Sequence, residues 1–192
     1  MFEMPLGQAL YFGVFHSIST FNNAGFDLFG MFPDRRASLM HYVDDPVVNA
    51  VTIVLIILGG IGFIVISDLL SYPKQKKLTL HSKVVLTVSA ALIVVGTLVI
   101  FLFELTNPHT LHPLSPFGKI FGAMFQSVTA RSAGLSTLDI ESLRQATQDF
   151  IILLMFVGAA PGSSGGGIKV TTFAILIGAM VAMVRGKEDI VM

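Results

Sequence analysis

The sequence predicts an all-α membrane protein built from repeated units, in which a short re-entrant helix and an extended loop lie between membrane-spanning helices. Three observations carry this. Apolar residues make up 53% of the chain and charged residues 12%, with a mean hydropathy of +0.78, whereas a soluble domain carries about a quarter charged residues. Long uncharged runs recur along the chain. One motif occurs twice: at a shift of 109 positions, FGVFHSISTFNNAGF (Phe12 to Phe26) lies over FGAMFQSVTARSAGL (Phe121 to Leu135). Phe12/Phe121, Gly13/Gly122, Thr20/Thr129, Ala24/Ala133 and Gly25/Gly134 are identical, five of fifteen pairs.

The first element, Leu6 to Phe21, is apolar but only about 15 residues long, too short to span a bilayer comfortably. It suits a pore helix that enters the membrane and stops midway, followed by an extended loop. Val47 to Ser67 is uncharged over 21 residues and Val84 to Phe103 over 20, each matching the roughly 20 needed to cross ~30 Å of hydrocarbon. Pro116 to Ala130 repeats the short pattern. Phe150 to Val184 is 35 residues long with one charge, Lys169. As a single helix it would measure about 52 Å, far more than a bilayer needs. Pro161-Gly-Ser-Ser-Gly-Gly-Gly167 in its middle predicts a span broken by a Gly-rich loop.

Loop charges predict the orientation. Ser71 to Lys83 holds Lys74, Lys76, Lys77 and Lys83 without an acid, so it is expected in the cytoplasm. The loop from Pro33 to Asp45 carries Asp34, Asp44 and Asp45 beside Arg35 and Arg36. With Glu104 and the Asp139 to Asp149 stretch, it is assigned to the outside. Both repeated loops then open outward, and the chain ends inside near Arg185 and Lys187. Three parts follow: residues 1–70, a partial pore repeat of pore helix, filter and inner helix; 71–83, a cytoplasmic loop; and 84–192, a complete repeat with a broken inner helix. The first unit lacks its leading helix, which implies a fragment of a longer chain. The opening MFEMPLGQAL has no basic n-region or small-residue cleavage site and does not read as a signal peptide.

Composition also sets aside several functions. There is no Cys, hence no disulfide framework, thiolate nucleophile or cysteine metal site. Formal net charge is zero, and nothing points to nucleic acid. No nucleophile–base pair suggests an enzyme. Gly162 to Lys169 is not a phosphate-binding loop, because Ile168 separates Gly167 from Lys169 and an apolar helix precedes it. His16 has no second ligand at metal-binding spacing and reads as a packed, hydrogen-bonded residue; His81, His109 and His112 read as loop residues.

FHSISTFNNAGFDLFG, SVTARSAGLSTLDI and PGSSGGGIKVTTF, in that order, resemble the pore subunits of the Ktr branch of the Trk/Ktr/HKT potassium transporters. The resemblance spans nearly the whole chain. It implies four helix–pore-loop–helix repeats around one central pore, of which this chain resembles the second, without its first helix, and the third. The first and fourth repeats are absent. It further implies an ion filter at Asn23, Ala24, Gly25 and Phe26 with Asn22 before it, and at Ser132, Ala133, Gly134 and Leu135 with Arg131 before it. The family's critical filter glycine falls on Gly25 and Gly134, while Leu135 replaces the more usual Phe. Potassium is the implied substrate, bound by filter backbone only, and no cofactor is implied. Some plant relatives that favour sodium carry Ser at the glycine position of their first repeat, which leaves sodium open here. The implied setting is a bacterial plasma membrane, multi-pass, with a homodimeric membrane part on a cytosolic nucleotide-binding regulatory ring.

The chemistry of a filter fits these residues. A dehydrated cation needs oxygens around it, and backbone carbonyls supply them without a fixed charge that would trap it. Glycine permits the positive φ that turns a carbonyl inward. The plainer alternative is that both segments are turns closing a helix hairpin. Asn22 and Asn23 are read as hydrogen-bonding the filter backbone or capping the pore helix, with direct ligation of the ion as the alternative. Arg131 is read as pointing behind the filter to an acid or carbonyls, with an outer-mouth position as the alternative. Gly162, Ser163, Ser164, Gly165, Gly166, Gly167 and Lys169 are implied to form an intramembrane gating loop beneath the filter. Lys169 is a functional candidate by its depth, unless it snorkels to the cytosolic surface. The competing function is a secondary transporter for a small anion, using the helix dipole at the broken span.

Overall fold

A computed structural model describes residues 5–29 and 38–185. Among these the chain forms seven α-helices, α1 (Leu6–Phe21), α2 (Pro46–Gly60), α3 (Phe63–Gln75), α4 (Leu80–Glu104), α5 (Pro116–Thr129), α6 (Gln145–Phe156) and α7 (Val170–Val184), with one 3-10 turn at Met40–Tyr42 and no named strand. Asp34, Arg35 and Arg36 of the expected outer loop, and Lys187 near the expected inner end, lie outside the described residues.

Local chemistry sets the helix starts. Asp45 caps α2, accepting from Val47 N (2.9 Å) and Val48 N (3.1 Å), and Pro46 occupies the first turn where its missing N–H costs nothing. Thr79 caps α4 through Ser82 N, and Ser115 caps α5 through Gly118 N, again with Pro in the first turn. The Ser115 hydroxyl donates in turn to Asp44 Oδ1 at 2.7 Å, which ties the start of α5 to the segment leading into α2.

Helix α4 is the one uninterrupted helix long and apolar enough to cross a membrane among the described residues. It packs along α5, α5 against α2, and α2 against α1. Phe12, Ile53, Ile56, Phe125, Val128 and Leu135 form a core between α1, α2, α5 and the loop after α5. A second core joins Ile100, Leu111, Ala123, Leu138 and Leu154, from α4 to α6.

Both short repeated elements are helices, α1 and α5, at the predicted bounds to within a residue. The Phe150 to Val184 stretch is broken as expected, and the break is wider than its Gly-rich centre: it runs from Val157 to Lys169, with a parallel bridge between Val157 and Ile168.

Val47 to Ser67 departs from the expected single span. It divides into α2 and α3, bent by 101°. The reason is Gly59-Gly60-Ile61-Gly62. Gly62 has φ +84°, and a Cβ on Gly59 would fall 1.8 Å from the Phe21 carbonyl oxygen, so α2 meets the end of α1 at a distance no side chain allows. The carbonyls freed at the bend find donors in the Gly-rich loop: Ala160 N reaches Gly60 O at 2.9 Å and Ser164 N reaches Gly59 O at 3.3 Å. The two interruptions satisfy each other. Two smaller expectations also change. Helix α3 continues through Pro73 to Gln75, leaving only residues 76–79 as connection to α4, and His81 lies in the first turn of α4 rather than in a loop.

Candidate functional site

The loops after α1 and α5 share a pattern of positive φ. Asn23 (φ +50°) and Gly25 (+71°) are left-handed in the first, and Ser132 (+129°) and Gly134 (+76°) hold positive φ at the same places, 109 positions on, in the second. Asn23 N donates to Thr20 O at 3.1 Å, and Ser132 N to Thr129 O at 3.3 Å, so each chain leaves its helix through an equivalent turn. The loops touch. A Cβ on Gly25 would lie 2.8 Å from the Ala133 carbonyl oxygen, and one on Gly134 would lie 3.5 Å from the Gly25 Cα.

Their carbonyls divide into two groups. Phe26 O accepts from Ser19 Oγ at 2.7 Å, and Leu135 O accepts from Thr129 Oγ1 at 2.6 Å. Each loop therefore has its last carbonyl tied back to its own helix. Among the described residues, no donor reaches the carbonyls of Asn22, Asn23, Ala24 and Gly25, or of Arg131, Ser132, Ala133 and Gly134. Eight backbone oxygens in two touching loops are thus free to accept.

The side chains do different things. Asn22 Nδ2 donates to Ile18 O at 2.9 Å and finishes α1. Asn23 Nδ2 donates to Ser164 Oγ at 3.0 Å. Ala133 and Leu135 are buried, whereas Phe26 is exposed. Arg131 reaches back to α4, where its guanidinium donates to Ser89 O at 3.3 Å, while Nε is buried without a partner. His16 uses both ring nitrogens, one with Phe12 O at 2.7 Å and the other accepting from Leu28 N at 3.3 Å, and its ring stacks on Phe29.

The Gly-rich loop lies against both repeated loops. Ser164 Oγ is within hydrogen-bond distance of Phe21 O (3.2 Å) and Gly59 O (3.1 Å) and accepts from Asn23. Gly166 N donates to Ser132 Oγ at 2.8 Å, and Gly162 O accepts from Phe63 N at 3.1 Å. Ser163 Oγ donates to Ala160 O, inside the loop. Lys169 turns back, its Nζ donating to Gly165 O at 2.7 Å.

Sequence reading missed several residues of this assembly. Ser19 and Thr129, which hold the last carbonyls, have no signal beyond being hydroxyls near the ends of short helices. Gly59, Gly60 and Gly62 were legible as a glycine cluster inside an apolar run. Glu104, noted only as an acid at the outer end of α4, is fully buried and accepts from Thr110 Oγ1 (2.6 Å), Asn107 Nδ2 (2.6 Å), Arg144 N (2.9 Å) and Thr147 Oγ1. It fastens α4 to the start of α6.

Among the described residues, fold and site define an all-helical protein with one helix long and apolar enough to cross a membrane and two copies of a helix followed by a loop of unpaired carbonyls. The chain belongs to the TrkH family, described as cation transport protein, whose profile matches residues 5–190. It is 43% identical to Ktr system potassium uptake protein B of Bacillus subtilis, over 96% of this chain and 40% of that protein. Against the protein of the same name in Vibrio alginolyticus it is 39% identical over 99% of this chain and 41% of the relative. Against the potassium/sodium uptake protein NtpJ of Enterococcus hirae it is 40% identical, over 96% and 40%. The chain thus spans about two fifths of the length of these curated relatives. The crystal structure of the potassium transporter TrkH from Vibrio parahaemolyticus has the same fold, with a TM-score of 0.69 over 91% of this chain and 36% of that one, at 23% identity.

Proposed function

We propose that the complete protein carries potassium across the membrane, and that residues 22–26 and 131–135 form two of the loops of its selectivity filter. The observation that carries this reading is the set of eight unpaired carbonyls in two touching loops that hold positive φ at the same two places. Alternation of positive and negative φ swings successive carbonyls toward one side, where an extended strand would send them to opposite faces. Such a row replaces the water around a cation without binding it too tightly to leave. The names of the relatives, potassium uptake and potassium/sodium uptake proteins, agree with this substrate class.

The Gly-rich loop is the gate of this reading. It contacts both loops from one side and carries the ammonium of Lys169, which repels a cation approaching along the same path. Potassium is substrate rather than cofactor, with sodium as a competitor or companion. The working assembly is the full chain, as a homodimer in the bilayer on a cytosolic nucleotide-binding ring.

The test is rubidium uptake by a transport-deficient bacterium expressing the full-length protein, with sodium in competition. Uptake that saturates and survives excess sodium is expected. Its absence from a protein shown to be in the membrane would remove the reading. Orientation is checked separately, since these 192 residues contain no native Cys. A cysteine at Glu141 should react with an impermeant thiol reagent from outside, and one at Gln75 only after permeabilisation.

A further inference from the structure

The two hydrogen bonds from the Gly-rich loop to the filter loops come from one place in the repeat. Asn23 and Ser132 are separated by the 109-position shift that relates the two copies. Each is a non-glycine residue at positive φ, +50° and +129°. In each, the backbone carbonyl is unpaired, while the side chain bonds to the Gly-rich loop. Asn23 Nδ2 donates to Ser164 Oγ, and Ser132 Oγ accepts from Gly166 N. The residues differ in type and the bonds run in opposite directions. A turn that merely needed positive φ would be served better by glycine at both positions. What Asn and Ser share is a short polar side chain that reaches a neighbouring segment.

We propose that Asn23 and Ser132 are a pair of latches that hold the Gly-rich loop closed against the filter, one on each side of Gly165. This rests on the transport reading above. Gly165 sits between the two points of attachment, and a Cβ there would lie 3.1 Å from Ser132 Oγ and 2.5 Å from Ala159 Cβ. The loop is therefore pressed against the second filter loop. The Lys169 ammonium is held on Gly165 O, so the latched position also fixes a positive charge beside the ion path. Releasing the latches frees the loop and its charge together. Asn23 and Ser132 act as positioning residues in this scheme.

Glycine is the informative replacement at both positions, since it keeps the positive φ and removes only the side chain. The measurement is the maximal rate of rubidium influx into proteoliposomes holding the purified full-length protein in its resting condition. A hydrogen bond of this kind shifts an equilibrium by roughly two- to tenfold, so Asn23→Gly and Ser132→Gly should each raise resting flux by about that factor. The two bonds flank a single residue of one loop, so the double variant should depart from a simple product of the single effects. Ser164→Ala removes the acceptor of the first latch from the loop side. Asn23→Gly should therefore add nothing on a Ser164→Ala background, a pattern that a merely structural role would not give.

Resting flux equal to that of the unaltered protein in Ser164→Ala and Ser132→Gly would overturn the latch and leave potassium transport standing. So would an Asn23→Gly effect that multiplies in full with Ser164→Ala. No rubidium influx by the unaltered protein would overturn the transport reading itself, and the latch with it. If Asn23→Gly fails to reach the membrane, an unchanged resting flux in Ser164→Ala still overturns the first latch, because that variant removes the bond from outside the filter.

Discussion

Phe26 and Leu135 stand at the same place in the two copies of the motif, yet Phe26 is 69% exposed and Leu135 1%. Around the second loop the chain closes in. Leu39 N donates to Ser136 O (3.0 Å), Ser136 N to Ser38 Oγ (3.1 Å), and Gln126 Nε2 to Ser136 Oγ (2.7 Å). Helix α5 also lies against both α4 and α2. Among the described residues, the first loop is held by Ser19, whose hydroxyl reaches Phe26 O and whose carbonyl takes Ala24 N, by His16 on Leu28 N, and by the latch to Ser164. Helix α1 has its main contact with α2, and its Leu6, Leu10, Val14 and Ile18 are exposed. Loops with the same positive-φ pattern can therefore differ widely in burial. The conformation follows from the local sequence, and its firmness from which neighbours the chain brings up.

The largest effect expected from this contrast is on stability. Leu135→Ala should cost about 2–5 kcal/mol, as buried leucines do, and lower the thermal midpoint of the full-length protein in detergent. Phe26→Ala should cost well under that. Equal losses would break the comparison and mean that the first loop draws equivalent packing from parts of the protein beyond these residues.

Next comes ion preference. Gly25→Ser places a Cβ at 2.8 Å from a backbone oxygen of the opposite loop as well as at positive φ, whereas at Gly134 the nearest atom is 3.5 Å away and only the φ is at odds. Both variants should lose discrimination of potassium over sodium in rubidium uptake, Gly25→Ser by more. An unchanged preference in both would remove the filter assignment.

The smallest effect concerns the tied carbonyls. Thr129→Val leaves Leu135 O without its donor in a buried setting and should cost about 1–3 kcal/mol. Ser19→Ala does the same to Phe26 O, on an exposed residue where water can substitute, and should cost less. Paired melting curves of the two variants read the difference.

Deleting Gly162 to Gly167 sharpens the contrast from another side, since both loops lean on that segment. Resting flux should rise while selectivity persists, because the filter carbonyls lie elsewhere. Flux that disappears from a folded, inserted deletion variant would make the loop a structural brace for the Gly59 and Gly60 carbonyls.

Much of the molecule was written in local sequence. The short apolar runs determined α1 and α5, because length and hydropathy act within one segment. Gly25 and Gly134 marked the positive-φ turns, since only the residue's own backbone limits that choice. Pro161 and the glycines after it marked the break between α6 and α7 for the same reason. Tertiary structure decided the rest. Val47 to Ser67 reads as one span, and it bends because Gly59 must meet the Phe21 carbonyl and because the Gly-rich loop can satisfy the carbonyls that the bend exposes. The repeat pairs Thr20 with Thr129, yet the first loop's last carbonyl is held by Ser19, one position earlier, because hydroxyl reach depends on how the chain returns past the helix. Asn23 reads as support for the filter and Ser132 as part of the filter itself, and their partners, 141 and 34 residues further along the chain, are set by packing between units. A hydrogen bond over such a separation leaves no periodicity or local composition in the sequence, because either partner alone is only a polar residue in a turn.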